Sequence, residues 1–226
     1  MTSNCVVMEL YEMRFRSLAI LALASSSVVM AEDDFGVLHI TNANLELSGR
    51  STLQIHTRVR TYENSTRFFQ FRAGPILIHR FTPRVVGLAG YYYINQDGSS
   101  PQNRQAHRYW AGPQFRILDY GRWAIDTRHL AERFAVVDGK DQARYRNRAM
   151  LIYKSGTLQP FASFEALVQN GVWYERHAAG LQINSRGALS YAISYEYRAS
   201  PIGPGIHLIA TTIQFRAWRQ GPPHID

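Results

Sequence analysis

Three arginines at alternate positions form the part of the sequence best suited to chemistry. Arg144, Arg146 and Arg148 lie at every second position of the run RYRNRAMLIY, and Tyr145 and Leu151 lie at the positions of opposite parity, meaning an odd number of residues away. Because a β-strand sends successive side chains to opposite faces, the run predicts one face of guanidinium groups and one mainly apolar face. A planar guanidinium binds carboxylates and phosphates through paired hydrogen bonds. The run therefore predicts a fixed arginine surface for ion pairing or for anion binding.

The whole chain shares this arginine bias. Its net charge is +8, and 23 of the 25 basic residues are arginine. A solvated nucleic-acid-binding surface usually mixes in lysine, so we expect no nucleic-acid partner. An arginine-lined protein interior explains the bias, and so does the codon usage of a GC-rich genome. The composition leaves both explanations open.

The elements that must position these arginines are strands. Alternating patterns recur with turn residues between them, and no segment downstream of residue 31 predicts a convincing helix. The apolar faces then have neither a helix nor a second sheet to cover them, which favours contact of these faces with membrane lipid. We predict an all-β fold, an antiparallel transmembrane β-barrel of about ten strands, with 10–12 possible. The candidate strands are residues 51–62, 66–80, 84–96, 104–118, 122–136, 143–155, 158–168, 176–184, 188–199 and 205–216.

The connections between these candidates alternate in length. The tight ones are residues 81–83, 119–121, 156–157 and 185–187, and the longer ones are residues 97–103, 137–142, 169–175 and 200–204. Outer-membrane barrels have short periplasmic turns and longer external loops, so both ends of a ten-stranded barrel would face the periplasm. Residues 36–47 form an eleventh candidate. It either lies across the periplasmic mouth or closes the barrel in a parallel pairing.

An export signal precedes the strands. Residues 13–16 (MRFR) are basic, and residues 17–30 form an apolar stretch shorter than the roughly 20 residues that a spanning helix needs. We expect cleavage after Ala31, and translation from Met13 because the preceding residues carry acids. The predicted location is the bacterial outer membrane, with its lipid as partner. The predicted organisation is a leader (1–31), an N-terminal segment with a possible extra strand (32–50), a β-barrel (51–216) and a C-terminal tail (217–226).

Tyrosine and tryptophan residues lie mostly near the ends of the candidate strands, where aromatic rings can span a membrane interface. Ordinary β-propensity also explains their presence in strands. The candidates for such a girdle are Tyr91, Tyr92, Tyr109, Trp110, Trp123, Tyr153, Trp173, Tyr174, Tyr195 and Tyr197.

One face of each strand collects the charged residues. Carboxylates on the strands before and after the arginine run predict ion pairs between neighbouring strands. A ten-stranded lumen is narrow enough for side chains to fill, which favours a plugged barrel of structural or interaction role. A narrow anion-selective pore or an anion pocket is the alternative. The predicted lumen cluster is Arg58, Arg72, Arg108, Arg116, Asp126, Arg128, Glu132, Arg144, Arg146, Arg148, Glu165, Glu196 and Arg198, with His56 and Arg60 on the same face.

A lipid-modifying outer-membrane enzyme is the alternative from another class. It would need a serine, a histidine and an acid or amide near one rim. The candidates are His107, His129, His177, Ser99, Ser100 and Ser163. None shows a recognisable spacing, so we assign no catalytic residue. The histidines lack metal-ligand spacing and the only cysteine, Cys5, lies in the leader, so we predict no metal, disulfide or cofactor. The sequence does not indicate an oligomeric state.

Several short stretches together resemble a known family. They are LSGRS (47–51), ILIHRFTPRVVGLAGYYY (76–93), RHLAERF (128–134), RYRNR (144–148), SFEAL (163–167) and ERHAAGLQ (175–182). With them, residues 45–215 resemble domain of unknown function 2490, a bacterial family of predicted outer-membrane β-barrel proteins. Leu130 and Phe134 stand where the family pattern places arginines. The resemblance implies an architecture and carries no activity to particular residues.

Overall fold

The computed structural model describes residues 33–97, 104–184, 188–199 and 204–217. These residues form strands joined by turns and loops, within a compact unit that begins at Asp34. No helix among them is long and apolar enough to cross a membrane. The strands are β1 (Asp34–Ser48), β2 (Ser51–Tyr62), β3 (Arg67–Thr82), β4 (Val85–Gln96), β5 (Arg104–Tyr120), β6 (Trp123–Val136), β7 (Gln142–Tyr153), β8 (Leu158–Gln169), β9 (Val172–Asn184), β10 (Leu189–Ala199) and β11 (Ile206–Ala217).

The strands close into one barrel in chain order. Every sequential pair is antiparallel, and the closing pair, β1 with β11, is parallel from Asp34↔Ile206 to Leu45↔Ala217. The predicted all-β barrel is therefore confirmed, with one strand more than the ten preferred from the sequence. The additional strand is β1, which contains residues 36–47. These residues close the barrel in the parallel pairing, one of the two arrangements expected for them. An odd number of up-and-down strands makes the first and last run in the same direction, so this closure has to be parallel.

The odd strand count places the two ends of the barrel on opposite rims. We call the rim carrying the connections after β2, β4, β6, β8 and β10 the upper rim, and the opposite rim the lower rim. Strand β1 begins at the upper rim and β11 ends at the lower rim. The two ends of the ten strands expected from the sequence do share the lower rim, but β1 adds a strand that begins at the upper rim.

One predicted long loop is a tight hairpin. Between β8 and β9 only Asn170 and Gly171 remain, with φ angles of 51° and 80°. Two consecutive positive φ values define the turn type that matches the twist of a hairpin, and Asn-Gly is the dipeptide that favours it most. The expected loop 169–175 was therefore wrong, and β9 begins four residues earlier than the sequence suggested.

Alternation sets the two faces of the barrel wall. Along β7 the arginines are partly covered, whereas Tyr145 is 50% exposed and Leu151 is 40% exposed. The same parity leaves Leu181 of β9 and Ile193 of β10 exposed at 42% and 50%. Apolar side chains therefore cover much of the outside, and the charges face inward.

Part of the interior is apolar. Tyr92, Trp110 and Leu130 are buried together with Ile76 and Ile94. A β-carbon at Gly90 would overlap the Trp110 indole, so this glycine makes room for the ring. A second apolar cluster joins β1 to β11 through their own inward side chains.

Three residues proposed for the aromatic girdle lie on the inward parity instead. They are Tyr92, Trp110 and Tyr174, and the last lies against an interior cavity. Trp123 and Tyr153 have the outward parity and pack together at the lower rim, 4.8 Å between ring centroids. Proximity to a strand end therefore does not decide which face an aromatic ring takes.

Candidate functional site in the barrel lumen

Glu165 of β8 is the centre of one ion-pair group. It is 5% exposed, and its carboxylate accepts hydrogen bonds from Arg146 on β7 and from Arg176 on β9. The Arg128 guanidinium on β6 lies 3.6 Å from the same carboxylate. Register places Arg148 directly opposite Glu165. One carboxylate therefore offsets several cations that enter from different strands.

Glu132 of β6 is the centre of a second group, connected to the first through Arg146. Its carboxylate accepts from Arg144 Nε at 2.5 Å, from Arg146 Nη1 at 3.1 Å and from Arg108 on β5. Arg146 thus bonds to a carboxylate on each strand that flanks its own. We call Glu132, Glu165 and their arginine partners the glutamate network.

Two further ion pairs belong to the predicted cluster. Glu196 accepts from Arg198 Nε at 2.6 Å on β10. Asp126 accepts from Arg116 Nε at 2.8 Å and from its Nη2 at 3.0 Å, nearer the lower rim. The predicted lumen residues therefore all lie on the inward parity, but Arg116 and Asp126 form a site of their own.

Three lumen arginines of β2 and β3 have no carboxylate partner among the described residues. Arg58 donates to the Gln70 amide oxygen at 2.9 Å, and Arg72 contacts His56 Nε2 at 3.0 Å. The Arg60 guanidinium lies over the Phe69 ring, 3.7 Å from its centroid. We call Arg58, Arg60 and Arg72 the unpaired arginines.

Sequence reasoning missed one residue of the glutamate network and gave too little weight to another site residue. Arg176 is the first residue of the candidate strand 176–184 but was not collected into the lumen cluster. It lies an even number of residues from Gln182 and Asn184, so strand alternation alone would have placed it on their face. Arg60 was assigned to the inward face but left out of the cluster.

A cavity of about 460 Å³ lies above the glutamate network, towards the upper rim. Gln96, Gln142 and Gln169 line it, and each is a terminal residue of its strand at that rim. Ile94, Phe134 and other apolar side chains form part of its wall. Eight arginines line it, namely Arg58, Arg60, Arg72, Arg108, Arg144, Arg146, Arg176 and Arg198.

A separate cavity of about 350 Å³ lies at the lower rim and includes Arg116 and Asp126. No described residue lines both cavities. Along β5, Arg108 lines the upper cavity and Arg116 the lower one, and buried Trp110 comes between them. Along β6, Leu130 takes the same intermediate place at 2% exposure. Buried side chains of β5 and β6 therefore lie between the two cavities.

Those candidates for an enzyme site that the structure describes do not come together. Ser163 has the inward parity, whereas the three candidate histidines have the outward parity. His107 pairs with the Tyr91 hydroxyl at 2.7 Å and His129 with the Tyr145 hydroxyl at 3.0 Å. The other two candidate nucleophiles, at positions 99 and 100, lie outside the described residues. Within the described ranges, no three His, Cys, Asp or Glu side chains are grouped to hold a metal ion.

Fold and lumen together define the class: a closed, mostly antiparallel β-barrel with an ion-paired interior. The chain belongs to the family described as protein of unknown function, DUF2490, whose profile matches residues 35–202. The family predicted from the short motifs is thereby confirmed. No curated protein matches the chain, and no solved structure does.

Proposed function

We propose that the protein is a small outer-membrane β-barrel with a filled lumen and a structural or interaction role. The observation that carries this proposal is the inversion of its two faces. Ionised side chains are enclosed, as Arg108 at 2% exposure illustrates, while Ile193 is left 50% exposed. A barrel that folds in water would have the opposite distribution, since soluble proteins rarely expose large continuous apolar patches.

The outward face supports a lipid environment in more detail. Leu151 and Ile193 occupy outward positions on β7 and β10, and Ile55 and Leu77 on β2 and β3 are 47% and 45% exposed, so apolar surface is present on several parts of the wall. Trp123 and Tyr153 pack against each other at the lower rim, and Trp173 is 52% exposed near the upper rim. Aromatic rings at both rims are typical of the two interfaces of a membrane barrel.

The leader supports the same location. The proposed signal sequence and its cleavage site after Ala31 lie outside the described residues. Cleavage there would leave two residues before β1, so the barrel would begin almost at the mature N-terminus. Under this proposal the lower rim, with its shorter connections, faces the periplasm.

The filled lumen favours a non-conducting barrel. Buried Trp110 and Leu130 lie between the two cavities, and Arg146 is held by carboxylates from both sides, which supports a closed path. Displacing these groups would expose buried apolar surface and separate buried ion pairs.

A narrow anion-selective pore is the second candidate, favoured by the excess of arginine over glutamate in the upper cavity. A cationic lumen that contains water would concentrate anions and select for them.

Planar-bilayer recording of the purified protein separates these two candidates. The filled-lumen proposal predicts no steady current for the natural chain and new steps for a Trp110→Ala, Leu130→Ala double variant. A Leu151→Ala, Ile193→Ala double variant, altered only on the outward face, is the control and should stay silent. Steady anion-selective steps from the natural chain would replace the proposal with the pore.

A further inference from the structure

Two inward arginines oppose each other without a carboxylate between them. Arg58 of β2 and Arg72 of β3 are register partners. Like charges directly opposite on a sheet are destabilising, and buried cations without counter-charge are costly. Arg128 of β6 and Arg148 of β7 are also register partners. There, however, Glu165 lies in register with Arg148 and 3.6 Å from the Arg128 guanidinium, so a carboxylate offsets the two cations. At Arg58 and Arg72 the neighbouring groups are the neutral Gln70 amide and the His56 ring.

The unpaired arginines also have hydrogen-bond donors without an acceptor. The Nε atoms of Arg58, Arg60 and Arg72 are buried and have no hydrogen-bond partner among the described residues. The three residues are 9%, 8% and 9% exposed, and all of them line the upper cavity. Buried polar groups are nearly always hydrogen-bonded. Three arginines that line one cavity, with unsatisfied donors and no carboxylate partner among the described residues, therefore indicate an anion that enters it.

We propose that the upper cavity binds a phosphomonoester, with its phosphate on Arg58, Arg60 and Arg72 and its organic part against the apolar wall. A phosphomonoester carries close to two negative charges near neutral pH and three strong acceptor oxygens. A monocarboxylate offers one charge and two oxygens, which is too little for three arginines. Guanidinium groups match phosphate oxygens in planar, bidentate geometry.

The cavity suits an organic phosphate better than a bare ion. Its volume of about 460 Å³ lies within the range of small-molecule pockets. Ile94, Phe134, Val136 and Ile206 give it apolar surface beside the arginines. It lies towards the upper rim, where either a free solute or the head group of a lipid can supply the same chemistry. The proposed site is built only from lumen residues, so a failure of the binding test would not contradict the proposed membrane location, and the reverse also holds.

Calorimetric titration of the full chain in a nonionic detergent tests this site. Phenyl phosphate is the probe, and Arg60→Gln is compared with Arg116→Gln, which removes one inward arginine from the lower cavity. Arg60→Gln should weaken binding by roughly tenfold or more, the usual effect of losing a charge-assisted hydrogen bond, while Arg116→Gln should change it by less than about twofold. Equal weakening in both variants, or no binding to the natural chain, would overturn the proposal.

Thermal melting of the natural chain provides a readout that needs no variant. At equal ionic strength, phenyl phosphate should raise the melting temperature more than benzoate or chloride does. Inorganic phosphate should act more weakly, because it leaves the apolar wall empty. Equal shifts with phenyl phosphate and benzoate would contradict a phosphate site. Lysophosphatidic acid in place of phenyl phosphate identifies the source, since a larger shift with it indicates a lipid head group and a smaller one a free solute.

Discussion

Arg146 and Glu165 form an ion pair across neighbouring strands although they are not register partners. Arg146 of β7 lies opposite Leu167, and Glu165 of β8 lies opposite Arg148. The Arg146 Nε atom nevertheless donates to Glu165 Oε1 at 3.1 Å, along the diagonal of the ladder. Diagonal neighbours on one face of a sheet are within reach of long side chains. Because of this diagonal, Glu165 contacts Arg146 while it faces Arg148.

Glu165→Gln should be strongly destabilising. The change leaves Arg128, Arg146 and Arg176 with less counter-charge in a buried site, and breaking a buried ion pair costs about 3–5 kcal/mol. Urea unfolding of the lipid-reconstituted protein measures the free energy of unfolding. The control is Glu63→Gln, a carboxylate with 50% side-chain exposure that pairs with exposed Arg67 and lines neither cavity, which should cost about 0–1 kcal/mol. Similar costs for the two variants would contradict the role assigned to Glu165.

Replacing an unpaired arginine should have the opposite effect to replacing a paired one. Without added anions, Arg60→Gln removes a buried cation that has no carboxylate partner, so the free energy of unfolding should rise by about 1 kcal/mol. Arg146→Gln should lower it by about 3 kcal/mol or more, because Glu132 and Glu165 lose their shared partner. The same unfolding assay, run in buffer without phosphate, compares them. Equal destabilisation of both variants would mean that Arg60 has a compensating partner.

Gly171→Ala should destabilise the hairpin between β8 and β9. Its φ of 80° is strained for any residue with a β-carbon, at a cost of about 1 kcal/mol. Gly49→Ala is the matched control, since that glycine also lies in a turn with open space around it and has no positive φ. Thermal melting should therefore show a larger drop in melting temperature for Gly171→Ala than for Gly49→Ala. No difference would argue against the assigned turn.

Strand alternation was sufficient to predict the barrel, because a period of two fixes each face over many strands. It failed at Phe68 and Phe69, which simple alternation places on the wrong faces. A β-bulge there pairs Arg60 with Gln70 but Thr61 with Phe68, and the extra residue, Phe69, turns inward over Arg60. A bulge of this kind has no reliable signal in a single sequence.

The lumen pairs were only partly predictable. The carboxylate on each strand beside β7 indicated ion pairing, but alternation cannot distinguish a register partner from a diagonal one. Leu130, which stands where the family pattern has arginine, packs into the apolar cluster with Trp110. Alternation gave Leu130 an inward position but did not indicate that it would join an apolar cluster among the charged residues.

The central claim is that the apolar face of the wall meets lipid and the charged face meets the lumen. Neighbouring residues on β10 test it directly, since Ile193 is outward and Ser194 is inward, two residues from Glu196. Folding into lipid vesicles gives the free energy of each variant relative to the natural chain. Ile193→Lys should cost about 2–4 kcal/mol if it lies near the bilayer midplane, and Ser194→Lys should cost much less. Equal costs, or a larger cost at Ser194, would contradict the account.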